Sequence, residues 1–363
     1  MRAGAPAPHG YSAAMAHDVR RAHDGAGPRL PNARGPVSAA VEEYLRGTGS
    51  PPRSQDIASA SVYGDDLQLA LYLCYELHYR GFAGVPEALE WDPDLLRVRA
   101  ALEHRFLTAL RADVPAHDSV EDALADLLVE PVDGTGVSRY LAAEGELWQV
   151  REYAAQRSLY HLKEADPHAW VLPRLWGRAK SGMAAVEFDE YGGGRPDRVH
   201  ARLFADLMTD LGLDTTYGHY LDEGTAQALA TVNLMSLLGL HRALRGALVG
   251  HFAAVEITSS PASRRLAEAM RRTGAGPAAE HFYDEHVEAD AVHEQVVRHD
   301  VIGGLLAEEP HLAPDVAFGI EVTGWLEDRF ADRLLGAWRA GRTSLHTDVQ
   351  RGALTGVEHR HGP

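Results

Sequence analysis

From residue 36 to near residue 340 the apolar residues recur at helical spacing, and no stretch alternates in the way a half-buried strand requires. VSAAVEEYLRG (37–47) reads as a short amphipathic helix closed by Gly47, and DLQLALYLCYELHYRGF (66–82) as a helix apolar on most faces, hence buried. Asp92 before Pro93 and the Ser-x-x-Asp of SVEDALADLLVE (119–130) are helix-start signals. Residues 136–166 read as one or two helices, a further helix begins near Pro196, and 225–257 reads as one long apolar helix ending near Glu256. The strand-like snippets VEFDEY and VEIT are too short to outweigh these surroundings. The expected fold class is all-α.

The 363 residues are divided into an unstructured extension (1–33), a helical domain (34–350) and a flexible tail (351–363). Lys and Arg number 35 against 52 Asp and Glu, a net charge of −17 that argues against a nucleic-acid partner. No run of eighteen apolar residues and no basic amphipathic stretch occurs, so neither a membrane span nor an anionic lipid surface is expected. Cys74 is the sole cysteine; no intrachain disulfide can form, and a reducing, cytoplasmic setting is expected.

The chemistry concentrates in HVEADAVH. At 3.6 residues per turn, His286, Asp290 and His293 fall within an arc of about 60°, on a stripe shared with Phe282 and Val297. Two imidazoles and a carboxylate on an otherwise apolar stripe suit an inward metal-binding edge. The competing reading, a solvated acidic helix face, stays open on this segment alone.

Other acids bear on the choice. Glu256 sits among Phe252, Val255 and Ile257, where an unpaired carboxylate is costly to bury. Glu190 precedes three glycines and His200 follows Pro196, and the glycines could turn the backbone so that both side chains face one cavity. Glu164 lies just before Pro167. Carboxylate oxygens with neutral imidazoles on separate helices suit a pair of iron or manganese ions. No Glu-x-x-His pair sits on these helices, which disfavours a ferritin-like site.

In these residues the chain resembles the haem-oxygenase-like di-iron oxidases, the iron-containing redox enzymes. Their order is a Glu and a His, a Glu on a middle helix, then His-x-x-x-Asp-x-x-His; the matching positions are Glu190, His200, Glu256, His286, Asp290 and His293. Glu164 stands where some members carry one more carboxylate. The resemblance implies a haem-oxygenase-like helical bundle and two irons, ferrous when they meet O2, with manganese as the alternative metal. It also implies oxidation of a small amine, amino acid or fatty acid by N-oxygenation, desaturation or C–C cleavage. A ferredoxin or reductase would supply any further electrons. The long amino-terminal part departs from shorter members; it would add helices over the bundle or support a homodimer.

Two other readings compete. A metal-free hydrolase or oxidase of the thiaminase or quinone-biosynthesis type needs a nucleophilic thiol, and Cys74 lies on an apolar helix. A non-enzymatic helical metal-binding protein would cluster its acids on the surface. His161, His168, His241, His251 and His281 are read as core or interface histidines with one hydrogen bond each, and Arg195, Arg198 and Arg202 as surface salt-bridge partners.

Overall fold

The computed structural model describes residues 27–115, 119–129 and 135–346, the side chains of 288 and 291 aside. The expected tail, and most of the expected extension, lie outside these residues. Residues 27–33, assigned to the extension, pack on the bundle: Pro28 and Pro31 are buried, and the Asn32 backbone N–H donates to Asp222 Oδ1 at 2.7 Å.

The fold is all-α, with no strand among the described residues. Its longer helices are α1 (Pro36–Leu45), α2 (Asp65–Glu76), α3 (Pro93–Asp113), α4 (Val120–Leu128), α5 (Val137–Ala143), α6 (Leu147–His161), α7 (Gly177–Glu190), α8 (His200–Asp210), α9 (Ala226–Leu240), α10 (Arg245–Thr273), α11 (Pro277–Gln295) and α12 (Ala313–Arg339). The start signals act as expected. Asp92 accepts from the Asp94 and Leu95 N–H groups, and the Ser119 hydroxyl accepts from Asp122 N–H at 3.1 Å, relieving orphan donors of the first turns.

Helix α9 is buried on nearly every side and forms the bundle's middle. Helices α2, α10 and α12 pack against it, and α10 also carries α11 and α12. The α10–α12 crossing depends on Gly250 and Gly319. A Cβ on Gly250 would meet the Val316 carbonyl at 1.9 Å, and one on Gly319 the Ala247 carbonyl at 2.0 Å. Only bare backbone fits there, and the approach sets His251 beside Thr323.

Several boundaries differ from the sequence reading. The helix expected over 66–82 ends at Glu76. The long apolar run of 225–257 breaks at His241, which is extended (φ −103, ψ 113). The second piece then continues through Pro261 to Thr273, so Glu256 lies inside a helix rather than at its end. Pro261 cannot donate to the Ile257 carbonyl, but Ile257, Ser263 and Leu266 are buried around it, and their packing carries the helix past the breaker. The VEFDEY snippet forms the end of α7 and its C-cap, Tyr191. After α11 the chain widens into a π-helical stretch, Val296–Ile302, packed on α7 where Gly182 and Gly304 allow close approach.

Candidate metal centre

The site residues reach the centre by several local devices. His286, Asp290 and His293 project from α11, and all three are buried. Glu256 comes from the middle of α10, which packs along α11. Glu190 is the last residue of α7 and His200 the first of α8. Between them Gly192, Gly193 and Gly194 all take positive φ (80°, 59° and 80°), a conformation that side chains disfavour. The reversal brings His200 Nδ1 to 2.8 Å from Glu190 Oε2. Glu164 lies three residues beyond α6, in a turn completed by Ala165 at φ 72°.

The structure brings all seven together, in two adjoining clusters. Glu164, His200 and His286 form one; Glu190, Glu256, Asp290 and His293 form the other, and within each the potential ligand atoms lie within 4.8 Å of one another. Glu190 joins them, touching His200 on one side and lying 3.7 Å from His293 Nδ1 on the other. A cavity of about 460 Å³ opens onto the clusters and runs along α6 past Tyr160 to Arg157.

Hydrogen bonds decide which atoms are free to bind. His286 Nδ1 lies 2.7 Å from the Phe282 carbonyl, an acceptor only, so Nδ1 carries the proton and Nε2 offers its lone pair; Nε2 is buried without a partner. His161 Nδ1 holds Glu164 Oε1 at 2.8 Å and leaves Glu164 Oε2 buried and unpartnered. Asp290 Oδ2 is equally bare, and His200 Nδ1, though close to Glu190, makes no directed hydrogen bond. His293 faces Glu256 Oε2 with Nδ1 at 3.1 Å and Asp189 Oδ2 with Nε2 at 3.4 Å. Buried polar atoms without partners are costly, and so many converging on one place fit a cation pair that would satisfy them.

Electrostatics point the same way. Burial lowers His293, but hydrogen bonding to the Asp290 and Glu256 carboxylates outweighs it and holds the imidazole up at about 11. Burial also opposes the charge on His200, and Glu190, then Glu164 and Asp290, overcome it, to about 9. Burial pushes Glu256 up to about 8, reinforced by Asp290 and Glu190. Glu164 is pulled down to about 2: His161 and His286 outweigh the burial that would raise it. Protons thus do part of the charge compensation that a metal pair would do better.

Two acids escaped the sequence reading. Glu187, buried one turn before Glu190, has both oxygens unpartnered, and burial followed by Glu190 and Glu256 pushes it up to about 9. Its i, i+3 spacing to Glu190 and its buried neighbours Met183 and Val186 were the available signal. Asp189 orients His293 from the more exposed side.

The remaining histidines divide. His281 is exposed near Glu285, and His241 pairs with Glu103 at 3.0 Å. His161 steadies Glu164 and stacks on Phe204, while His168 and His251 each make two contacts instead of the single one expected. Arg195 and Arg198 are exposed, and Arg202 pairs with Asp206. Cys74 is buried far into α2, where desolvation pushes its thiol up to about 12.

A family described as iron-containing redox enzyme matches residues 151–328. That stretch holds all seven clustered residues, and the family it matches is the one that the chain's motif order resembles. No curated protein matches the chain. No helix among the described residues is long and apolar enough to cross a membrane.

Proposed function

We propose that the protein is a non-haem di-iron enzyme that activates O2 to oxidise a small organic substrate of the amine, amino acid or fatty acid type. The observation that carries this reading is the set of buried, unpartnered ligand atoms in two adjoining clusters, with Glu190 between them. Glu164, His200 through Nδ1 and His286 through Nε2 would hold one iron. Glu256, Asp290 and His293 through Nδ1 would hold the other, and Glu190 would bridge. Manganese suits the same oxygen and nitrogen donors.

Bound iron would supply one-electron redox chemistry and a binding place for O2. The chain's own residues do the rest. His161 and Asp189 orient Glu164 and His293 from behind. Phe204 and Phe282 pack their rings 5.1 Å apart beside His286 and exclude water from one side. The cavity has the size of an ordinary small-molecule pocket, and its far wall carries the Arg157–Glu327 ion pair, which suits a polar end on the substrate. Electrons beyond the substrate's own would come from a ferredoxin or a reductase. The thiol-based alternative has no support in a cysteine held protonated and buried.

The test is anaerobic loading with Fe(II), metal counting and exposure to O2 while absorbance and O2 uptake are followed. The reading expects iron-dependent O2 consumption with a transient visible band, both lost in His286→Ala. Tight zinc binding with no O2 response from the iron-loaded protein would contradict it.

A further inference from the structure

A chain of four buried side chains runs from α12 to the cavity wall, and its proton positions follow from its ends. The Thr323 hydroxyl donates its one proton to the Gly319 carbonyl at 2.7 Å, so toward His251 it can only accept. His251 Nδ1, 2.7 Å from Thr323 Oγ1, therefore carries a proton. Burial keeps both imidazoles neutral: His168 is lowered to about 4, and His251 is held well below the ordinary imidazole value. With its proton on Nδ1, His251 has a bare Nε2, and His168 Nε2, 3.1 Å away, must donate to it. That leaves His168 Nδ1 as a lone pair facing the Tyr160 hydroxyl at 3.4 Å. The tautomers of both histidines are fixed by a helix carbonyl at the far end of the chain.

Tyr160 lines the cavity together with Glu164, Glu190 and Glu256. We propose that Tyr160 is a redox-active residue of this site, giving one electron to the O2-oxidised metal centre while its phenolic proton passes to His168 Nδ1. The proposal rests on the di-iron reading above. One electron leaves the phenol and one arrives at the centre; the O–H bond breaks and an N–H bond forms on His168, leaving a neutral phenoxyl and an imidazolium. The external donor later returns the electron, and the proton goes back. A phenol that has lost an electron is a strong acid, so a weakly basic imidazole is enough to take the proton. The nearby Glu164 carboxylate favours the protonated form of His168. Tyr153, on the same wall, has the opposite partner: Arg157 Nε donates to its hydroxyl at 3.2 Å, and a cation beside the ring opposes loss of an electron.

The experiment is rapid freezing of the Fe(II)-loaded full chain after O2 exposure, read by electron paramagnetic resonance alongside iron content. An organic radical signal should form, change its hyperfine pattern with ring-deuterated tyrosine, persist in Tyr153→Phe and vanish in Tyr160→Phe at unchanged iron content. His168→Gln should lower its yield. A signal that survives Tyr160→Phe, or iron uptake and O2 consumption with no radical, would overturn the proposal and leave the di-iron reading standing; absence of iron uptake would sink both. In the metal-free protein, nitrogen-15 spectra of the imidazoles should give protonated Nε2 for His168 and protonated Nδ1 for His251. The reverse tautomers would overturn the pairing without reference to iron.

Discussion

Lys163 and Glu76 form an ion pair sealed inside the protein, Nζ to Oε2 at 2.8 Å, with Lys163 1 % and Glu76 0 % exposed. Tyr217 donates to the other carboxylate oxygen at 2.7 Å, and the Lys163 ammonium lies 4.2 Å from the Tyr79 ring centre. Glu76 ends α2, in the amino-terminal part that lies outside the family match, whereas Lys163 is the residue before Glu164. The pair therefore ties the added helices to the turn that presents a candidate ligand. That turn includes Ala165, the one non-glycine residue with positive φ among those described, a conformation that must be held by its surroundings.

Removing one partner leaves a buried charge uncompensated. Lys163→Met should cost about 3–5 kcal/mol in urea unfolding, and Lys163→Met with Glu76→Leu should recover most of it. If the pair also positions Glu164, the double variant should still bind iron at the Glu190 cluster while binding more weakly at the Glu164 cluster. Equal affinity at both clusters would remove the positioning role.

The buried imidazoles and carboxylates of the site hold protons that a metal would have to displace, so metal binding there would carry a pH signature. His200 and His293 are raised above the free imidazole value, so their contribution to stability is complete below about pH 6.5 and is lost as pH rises through about 9 and 11. Glu256, raised to about 8, likewise favours the fold while protonated and ceases to do so as pH rises. Melting temperatures of the metal-free protein should fall between about pH 6 and pH 9, and added Fe(II) or Zn(II) should restore more at the higher pH, with protons released on binding. Metal stabilisation that is flat across this range would contradict the assignment of these groups.

Cys74 should resist alkylation in the folded protein at about pH 8, since burial holds its thiol up at about 12 and the side chain is out of solvent. Mass spectrometry after iodoacetamide treatment should find it modified only after denaturation. Cys74→Ser should leave iron uptake intact.

The crossing of α10 and α12 has no room for a methyl group. Gly319→Ala, aimed at the Ala247 carbonyl, should destabilise by about 1–3 kcal/mol and loosen the His251–Thr323 contact. Gly324, with nothing near its Cβ position, serves as the control on the same helix, and Gly324→Ala should be near neutral or stabilising.

The parts of the site that could be read from the sequence are those written into one element. His286, Asp290 and His293 share a helical face by spacing alone, and Glu190 and His200 flank a glycine reversal. Glu256 stood out through its apolar neighbours Phe252, Val255 and Ile257, and Glu164 only through its order relative to the other candidates. What remained hidden depends on contacts between distant segments. Lys163 meets Glu76 from another helix, and His168 and His251 are fixed by a carbonyl on α12. The end of that helix was expected near Glu256 because local propensity is all the sequence shows, whereas packing on both sides of Pro261 carries α10 on to Thr273.

If these seven side chains hold two metal ions, anomalous diffraction at the iron edge will locate both in crystals loaded anaerobically with Fe(II). Two peaks are expected, one among Glu164, His200 and His286 and one among Glu256, Asp290 and His293, with Glu190 reaching both. A lone peak, or iron bound elsewhere with these residues still bare, would contradict this expectation.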